Sequence, residues 1–151
     1  MATLAAGGCG GGASASPVDA SASPAPIPEA SFTGGPGSAR LDLPVRLAWD
    51  GGWCTRGPGD AWLALNVGFP NGAEYFGLVA GQSPYTPAAT RGAAGGGTFG
   101  GDDLAITWRH LGTAVNVAGA GLVLELAKDL SLGSFHGRLA DGTEVRGSFS
   151  C

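Results

Sequence analysis

The chain has 151 residues, 29 of them glycine, with 44% hydrophobic and 13% charged residues and a net charge of -4. A single lysine, Lys128, and the lack of any basic run argue against a phosphate-reading surface, and so against nucleic acid as a partner. Abundant glycine with scattered aromatics and alternating apolar residues points to turn-rich β structure and away from helix.

At the start of the chain, Leu4-Ala5-Ala6-Gly7-Gly8-Cys9 has the form of a bacterial lipobox. Small residues lead to a cysteine whose thiol takes a diacylglyceryl group, after which the cysteine becomes the mature N-terminus. Leu4 stands further from Cys9 than is usual, and Met1 to Ala6 supply neither the positive start nor the apolar run of a full secretory signal. The expected true start therefore lies upstream of Met1. Residues 1–9 are read as the signal remnant, with Cys9 as the lipidation site and the lipid as the link to a membrane.

From Gly10 to Ala39, 24 of 30 residues are Gly, Ala, Ser or Pro. Such a segment cannot bury enough apolar surface to offset its ordering entropy. It is expected to be a disordered tether with a root-mean-square reach of roughly 30 Å. All four tryptophans follow it, so the folded domain is placed at residues 40–151.

Within that domain, Leu41, Leu43, Val45, Leu47 and Trp49 alternate with more polar positions, as in a strand with one buried face. Pro44 marks it as an edge, and Asp50-Gly51-Gly52 is expected to turn the chain. Trp53 to Arg56 forms a second strand, followed by a turn at 57–60. Ala61 to Phe69 follows, with Leu63, Leu65, Val67 and Phe69 on one face. Asn71-Gly72 is a hairpin signal returning through Glu74 to Ala80. A long loop then spans Gly81 to Gly97, and loops of that length in compact domains are usually functional or mobile. Thr98 to Phe99, Leu104 to Arg109, Thr113 to Ala118 and Leu122 to Lys128 read as further strands, the last with one helical turn as the alternative.

The final hairpin can be registered from its faces. Phe135, Gly137 and Leu139 share one face, as do Val145, Gly147, Phe149 and Cys151. A loop over 140–142 sets Gly137 against Val145 and Arg138 against Glu144, with Gly142 in a left-handed conformation and an Arg138–Glu144 ion pair on the wet side. Cys151 then points inward. A loop over 57–60 likewise turns Cys54 and Leu63 inward and Trp53, Thr55 and Trp62 outward. Trp49 and Trp108 continue apolar registers and are assigned to the core. The resulting fold class is an all-β antiparallel sandwich or partly closed barrel of about seven to nine short strands.

The cysteines agree with this reading. There are three, and lipidation of Cys9 leaves Cys54 and Cys151 as a disulfide pair; two unpaired buried cysteines are the alternative. No Cys-x-x-Cys is present, and His110 and His136 stand alone, so no zinc site is expected. Gly95 to Gly100 matches G-x-G-x-x-G but lacks the strand-then-helix context of a dinucleotide site. Asp102-Asp103 reads as a solvated turn, and neither histidine has a nucleophile and an orienting acid nearby. No catalytic residue, metal or cofactor is assigned.

A lipobox, a Ser/Ala/Pro tether and two cysteines bracketing a Gly-rich β domain resemble the mycobacterial lipoprotein antigens of the LpqH type. The residues that carry the resemblance are Cys9 with its tether, Cys54 on an early strand, and the segments 133–137, 141–143 and 147–151. The middle of the chain, with its tryptophans and the Pro84–Pro87 loop, departs from that pattern. The resemblance implies a surface-exposed, non-enzymatic β domain of the cell envelope and supplies no catalytic residue.

The leading functional expectation is thus a lipid-anchored, extracytoplasmic surface-interaction or structural protein. The first alternative is a carbohydrate-binding module, with Trp53 and Trp62 as an adjacent outer-face aromatic pair and Asn66, Tyr85 and Arg91 as further ligand contacts. The second is a small-molecule-binding or hydrolytic domain. A protein or a glycan is the expected partner besides the membrane.

Overall fold

The computed structural model describes residues 33–118 and 121–151. The expected lipidation site Cys9 and the expected tether as far as residue 32 lie outside the described residues.

Ten antiparallel strands run in chain order as β1 (Thr33–Leu43), β2 (Leu47–Arg56), β3 (Trp62–Gly68), β4 (Tyr75–Gly81), β5 (Gly97–Gly100), β6 (Leu104–His110), β7 (Thr113–Ala118), β8 (Leu122–Leu126), β9 (Leu132–Arg138) and β10 (Glu144–Ser150). They form one sheet in the order β5-β8-β9-β10-β1-β2-β3-β4-β6-β7. The sheet curls into a half-barrel, so that β6 approaches β8. Its inner face is the core, filled by alternating apolar residues of nearly every strand. Phe76 of β4 packs on Phe135 of β9 at 5.9 Å between ring centroids and on Trp49 of β2 at 5.3 Å. Pro58–Asp60 and Gly101–Asp103 form single 3-10 turns, and no α-helix occurs among the described residues.

The all-β class matches the sequence reading, although ten strands exceed the seven to nine expected, and the stretch from Leu41 to Trp49 is divided between β1 and β2. The chain reverses over residues 44–46, which leaves Val45 45% exposed and outside the core. Asp50-Gly51-Gly52 is not a turn. It is a bulge within β2: Gly37 pairs with Gly52 and Ala39 with Trp49, so β2 has one extra residue there.

The tether boundary also moves. β1 begins at Thr33 and pairs with β2 on one side and with β10 on the other, so residues 33–39 belong to the sheet. Their small size is structural: a methyl on Gly37 would meet Cys54 Sγ at 2.5 Å and Leu65 Cδ1 at 2.6 Å. Only a bare backbone can cross the inner face at that point. Phe69, expected in the core, is 81% exposed, because β3 ends at Gly68 with φ +77°.

The last hairpin has the expected register. Arg138 pairs with Glu144, Gly137 with Val145, and Gly142 takes φ +86°. The expected ion pair does not form. Arg138 Nη1 donates to the Gly142 carbonyl at 3.1 Å, and Glu144 accepts instead from Arg146 Nη2 at 3.1 Å. Cys54 and Cys151 are disulfide-bonded, with 5.6 Å between their Cα atoms.

Candidate functional site

On the outer face of β2, β3, β4 and β6, two adjoining hollows share Ala64, Asn66 and Tyr85. One, of about 450 Å³, lies against Thr55, Trp62 and Pro84. The other, of about 500 Å³, lies against Tyr75, Gly77 and Thr107. The floor is made of small side chains, so the rings at the margins define a trough.

Register explains where those rings sit. Trp53 is opposite Asn66, Cys54 opposite Leu65 and Thr55 opposite Ala64. The Gly57 amide donates to the Trp62 carbonyl at 2.9 Å. Cys54 and Leu63 do face inward and both tryptophans outward, as the sequence implies. The β2–β3 connection, however, places Cys54 opposite Leu65 and not opposite Leu63, a slip of two residues. A two-residue slip preserves the faces and changes the neighbours. The expected adjacent pair of tryptophans is therefore not formed. Trp53 is 57% exposed and lies over Gly34 of β1, while Trp62 is 8% exposed and lies over Gly57.

Asn66 is exposed on the trough floor and is oriented by a residue that the sequence reading did not single out. The Tyr75 hydroxyl donates to Asn66 Oδ1 at 2.7 Å. Its ring reaches there by lying over Gly77, where any β-carbon would collide with the phenol. Burial, and then the neighbouring Tyr85, push the Tyr75 hydroxyl above its ordinary pKa. The phenol thus stays a neutral donor. With Oδ1 engaged, the Asn66 amide nitrogen is left to donate outward.

Tyr85 is 73% exposed, yet its backbone is held. The Ser83 hydroxyl accepts from the Tyr85 and Thr86 amides, each at 3.1 Å, and the Thr86 hydroxyl donates to the Gly81 carbonyl. Further along the loop, Asp103 Oδ1 accepts from the Thr90 and Arg91 amides at 2.6 and 3.2 Å, and the Ala93 amide donates to the Ala61 carbonyl at 3.1 Å. The long loop is cross-braced to three other parts of the chain.

Arg91 belongs to that bracing and not to the trough. Its guanidinium donates to the carbonyls of Thr98 and Gly96 at 2.8 and 3.0 Å and sits 4.2 Å over the Phe99 ring. The glycine motif at 95–100 leads into β5 and a 3-10 turn with no following helix, so the dinucleotide context is missing. His110 is paired with Glu74 at 2.9 Å. No cluster of three or more metal-ligating side chains occurs among the described residues. No protein-family model, curated protein or solved structure matches the chain.

Proposed function

We propose that the chain is a lipid-anchored, extracytoplasmic surface-interaction protein, held to the membrane through Cys9, whose β domain binds a saccharide in the Tyr85 trough. The observation that carries the ligand reading is the Tyr75–Asn66 hydrogen bond of 2.7 Å beside the braced, exposed Tyr85. A tyrosine face can stack on the apolar face of a sugar ring, and an amide with its oxygen already engaged offers directed donors to ring hydroxyls. Asn66 is oriented by Tyr75 and the backbone that carries Tyr85 is held, which lowers the ordering cost of binding. The location rests on the lipobox-like segment, the odd cysteine count and the resemblance to LpqH-type antigens. Trp53 has no role in this version, because its ring lies over β1.

Two experiments test the two halves. Expressed from its native locus, the chain should take up an alkyne-palmitate label, and Cys9→Ser should abolish it; equal labelling of the variant would remove the anchor. For the trough, neutral hexose and N-acetylhexosamine oligosaccharides should perturb the tryptophan fluorescence of the wild-type chain. Tyr85→Ala and Asn66→Ala should lose the response, while Tyr85→Phe should keep it. Undiminished binding by Tyr85→Ala would reject the trough.

A further inference from the structure

The geometry points to a second ligand site, on the outer surface of β1, β10, β9 and β8, that takes a carboxylate-bearing saccharide. It does not depend on the reading of the Tyr85 trough. A hollow of about 620 Å³ lies there, larger than either half of that trough. It is within the size range of small-molecule sites, about 300–1,000 Å³.

Strand register sets the polar groups of this hollow in a row. Arg40 pairs with Ser148, Ser148 with Ser134, Ser134 with Glu125, and Glu125 with Thr98. The row crosses five strands at about 4.8 Å per step, so Arg40 and Glu125 stand roughly 14 Å apart. Only serines lie between them, and their short side chains leave the space open. A second row runs alongside: Ser38 pairs with Ser150 and Ser150 with Leu132.

The two charged ends differ in what they already hold. The Thr98 hydroxyl lies 3.0 Å from each Glu125 oxygen and shares its one hydrogen between them. Arg40 has no carboxylate partner among the described residues, where the two ion pairs are His110–Glu74 and Arg146–Glu144. Ser38 and Ser150 bond each other at 2.9 Å, but the Ser134 and Ser148 hydroxyls have no side-chain hydrogen bond among the described residues. The hollow thus offers one uncommitted guanidinium, two uncommitted hydroxyls and, at its margin, Leu132, 57% exposed.

That set is selective. A guanidinium fork fits a carboxylate bidentately. Hydroxyls that both donate and accept match the hydroxyls of a sugar ring, one strand spacing from the carboxylate. Leu132 supplies an apolar contact for the ring's C–H face. Phosphate alone would use Arg40 and leave the serine row idle, and a neutral sugar would leave Arg40 unpaired. A uronic-acid unit uses all three.

The test is a nitrogen-15 amide titration of the full chain with a galacturonate trimer, against a galactose trimer as the neutral control and inorganic phosphate as the bare anion. Shifts at Arg40, Ser134 and Ser148 are expected with the uronate and not with the galactose, with binding weakened by added salt. Arg40→Gln should weaken binding at least about tenfold, the loss expected for a charge-assisted hydrogen bond. Arg40→Lys should fall between Arg40→Gln and the wild type, because it keeps the charge and loses the fork. Ser134→Val should weaken the uronate without changing the response to phosphate. The site is overturned if the uronate shifts map to Asn66 and Tyr85, if phosphate binds as tightly as the uronate, or if Arg40→Gln binds like the wild type.

Discussion

Leu111 occupies a conformation that its side chain opposes, and replacing it should make the protein more stable. β6 and β7 are joined by Leu111 and Gly112, with φ +49° and +80°, and His110 pairs with Thr113. This is a two-residue hairpin loop with both positions left-handed, a geometry that favours Asn or Gly at the first position. A leucine there costs about 1–2 kcal/mol. The return from burial is small, because Leu111 is 78% exposed. Full burial of a leucine is worth about 1.5–3 kcal/mol, so the covered fraction contributes about 0.5 kcal/mol. The hydrogen bonds of the turn come from the backbone: Leu111 N donates to Glu74 Oε1 at 3.1 Å and Gly112 N to the Ala73 carbonyl at 3.0 Å. They survive any substitution that keeps the turn. Leu111→Asn should therefore stabilise by about 1 kcal/mol, or roughly 4 °C in Tm for a domain of this size. Leu111→Ala retains the strained β-carbon and should gain nothing. Urea and thermal unfolding of the three proteins measure this. An Asn variant no more stable than the Ala variant would refute the strain argument.

Cys151→Ser should lose about 4–5 kcal/mol, the chain-entropy value for a loop near 100 residues; the bridge spans 97 positions, and urea unfolding against the wild type reads the loss. Glu74 is held below its ordinary value of 4.5, first by the Leu111 amide and then by His110. Asp129 and Asp141 lie below 3.8, through hydrogen bonds from Ser131 and Thr143. A depressed folded pKa gives stability that is present above the unfolded value and lost as pH falls through the folded one. Stability should therefore drop below about pH 4.5, and Glu74→Gln should make that drop shallower in acid-unfolding curves. A methyl on Gly147 would collide with Phe135 and the Arg40 carbonyl, whereas one on Gly35 meets nothing within 4 Å. Gly147→Ala should thus cost about 1–3 kcal/mol as an overpacked core does, Gly35→Ala should cost little, and equal midpoints in thermal unfolding would count against the packing described.

Alternation along a strand fixes which face a residue takes, and that much could be read without coordinates. The inward placement of Cys54 and Cys151, the core positions of Trp49 and Trp108, and the whole β9–β10 register follow from parity and one short turn. Alternation leaves the register across a longer connection free by steps of two. That is why Trp53 and Trp62 have the right face and the wrong neighbours. The bracing of the 82–96 loop was not legible, since Asp103 and Ala61 are brought to it only by the folded sheet. Arg91 looked like a ligand contact because nothing local reveals that its guanidinium caps the carbonyls of Gly96, at the loop's end, and Thr98, in β5. Tyr75 was missed, although the signal was present: an aromatic two residues before Gly77, on the same outer face as Asn66. Phe69 was misplaced because the apolar alternation was extended past Gly68, where the backbone turns left-handed and the strand stops.

The excess of glycine in the composition and several of the aromatics form one structural device. Trp53 lies over Gly34, Trp62 over Gly57 and Tyr75 over Gly77 on the outside; Phe135 lies over Gly147 and Phe149 over Gly133 on the inside. The inner two are direct cross-strand pairs, with Phe135 opposite Gly147 and Phe149 opposite Gly133. Each ring fills the space that a glycine leaves empty and covers its backbone, so a residue poorly suited to strands is compensated by a neighbour that packs on it. On the inner face this arrangement builds the core. On the outer face the same packing fixes ring positions that folding alone does not require, and it does so beside Asn66. The Tyr85 trough is thus shaped from below by small side chains and by Gly77 under the Tyr75 ring, which is why neither that glycine nor the rings identify it when read alone. The serine hollow follows the same logic with hydroxyls in place of rings: small residues keep a space open between Arg40 and Glu125, and the sheet holds that space at a fixed width.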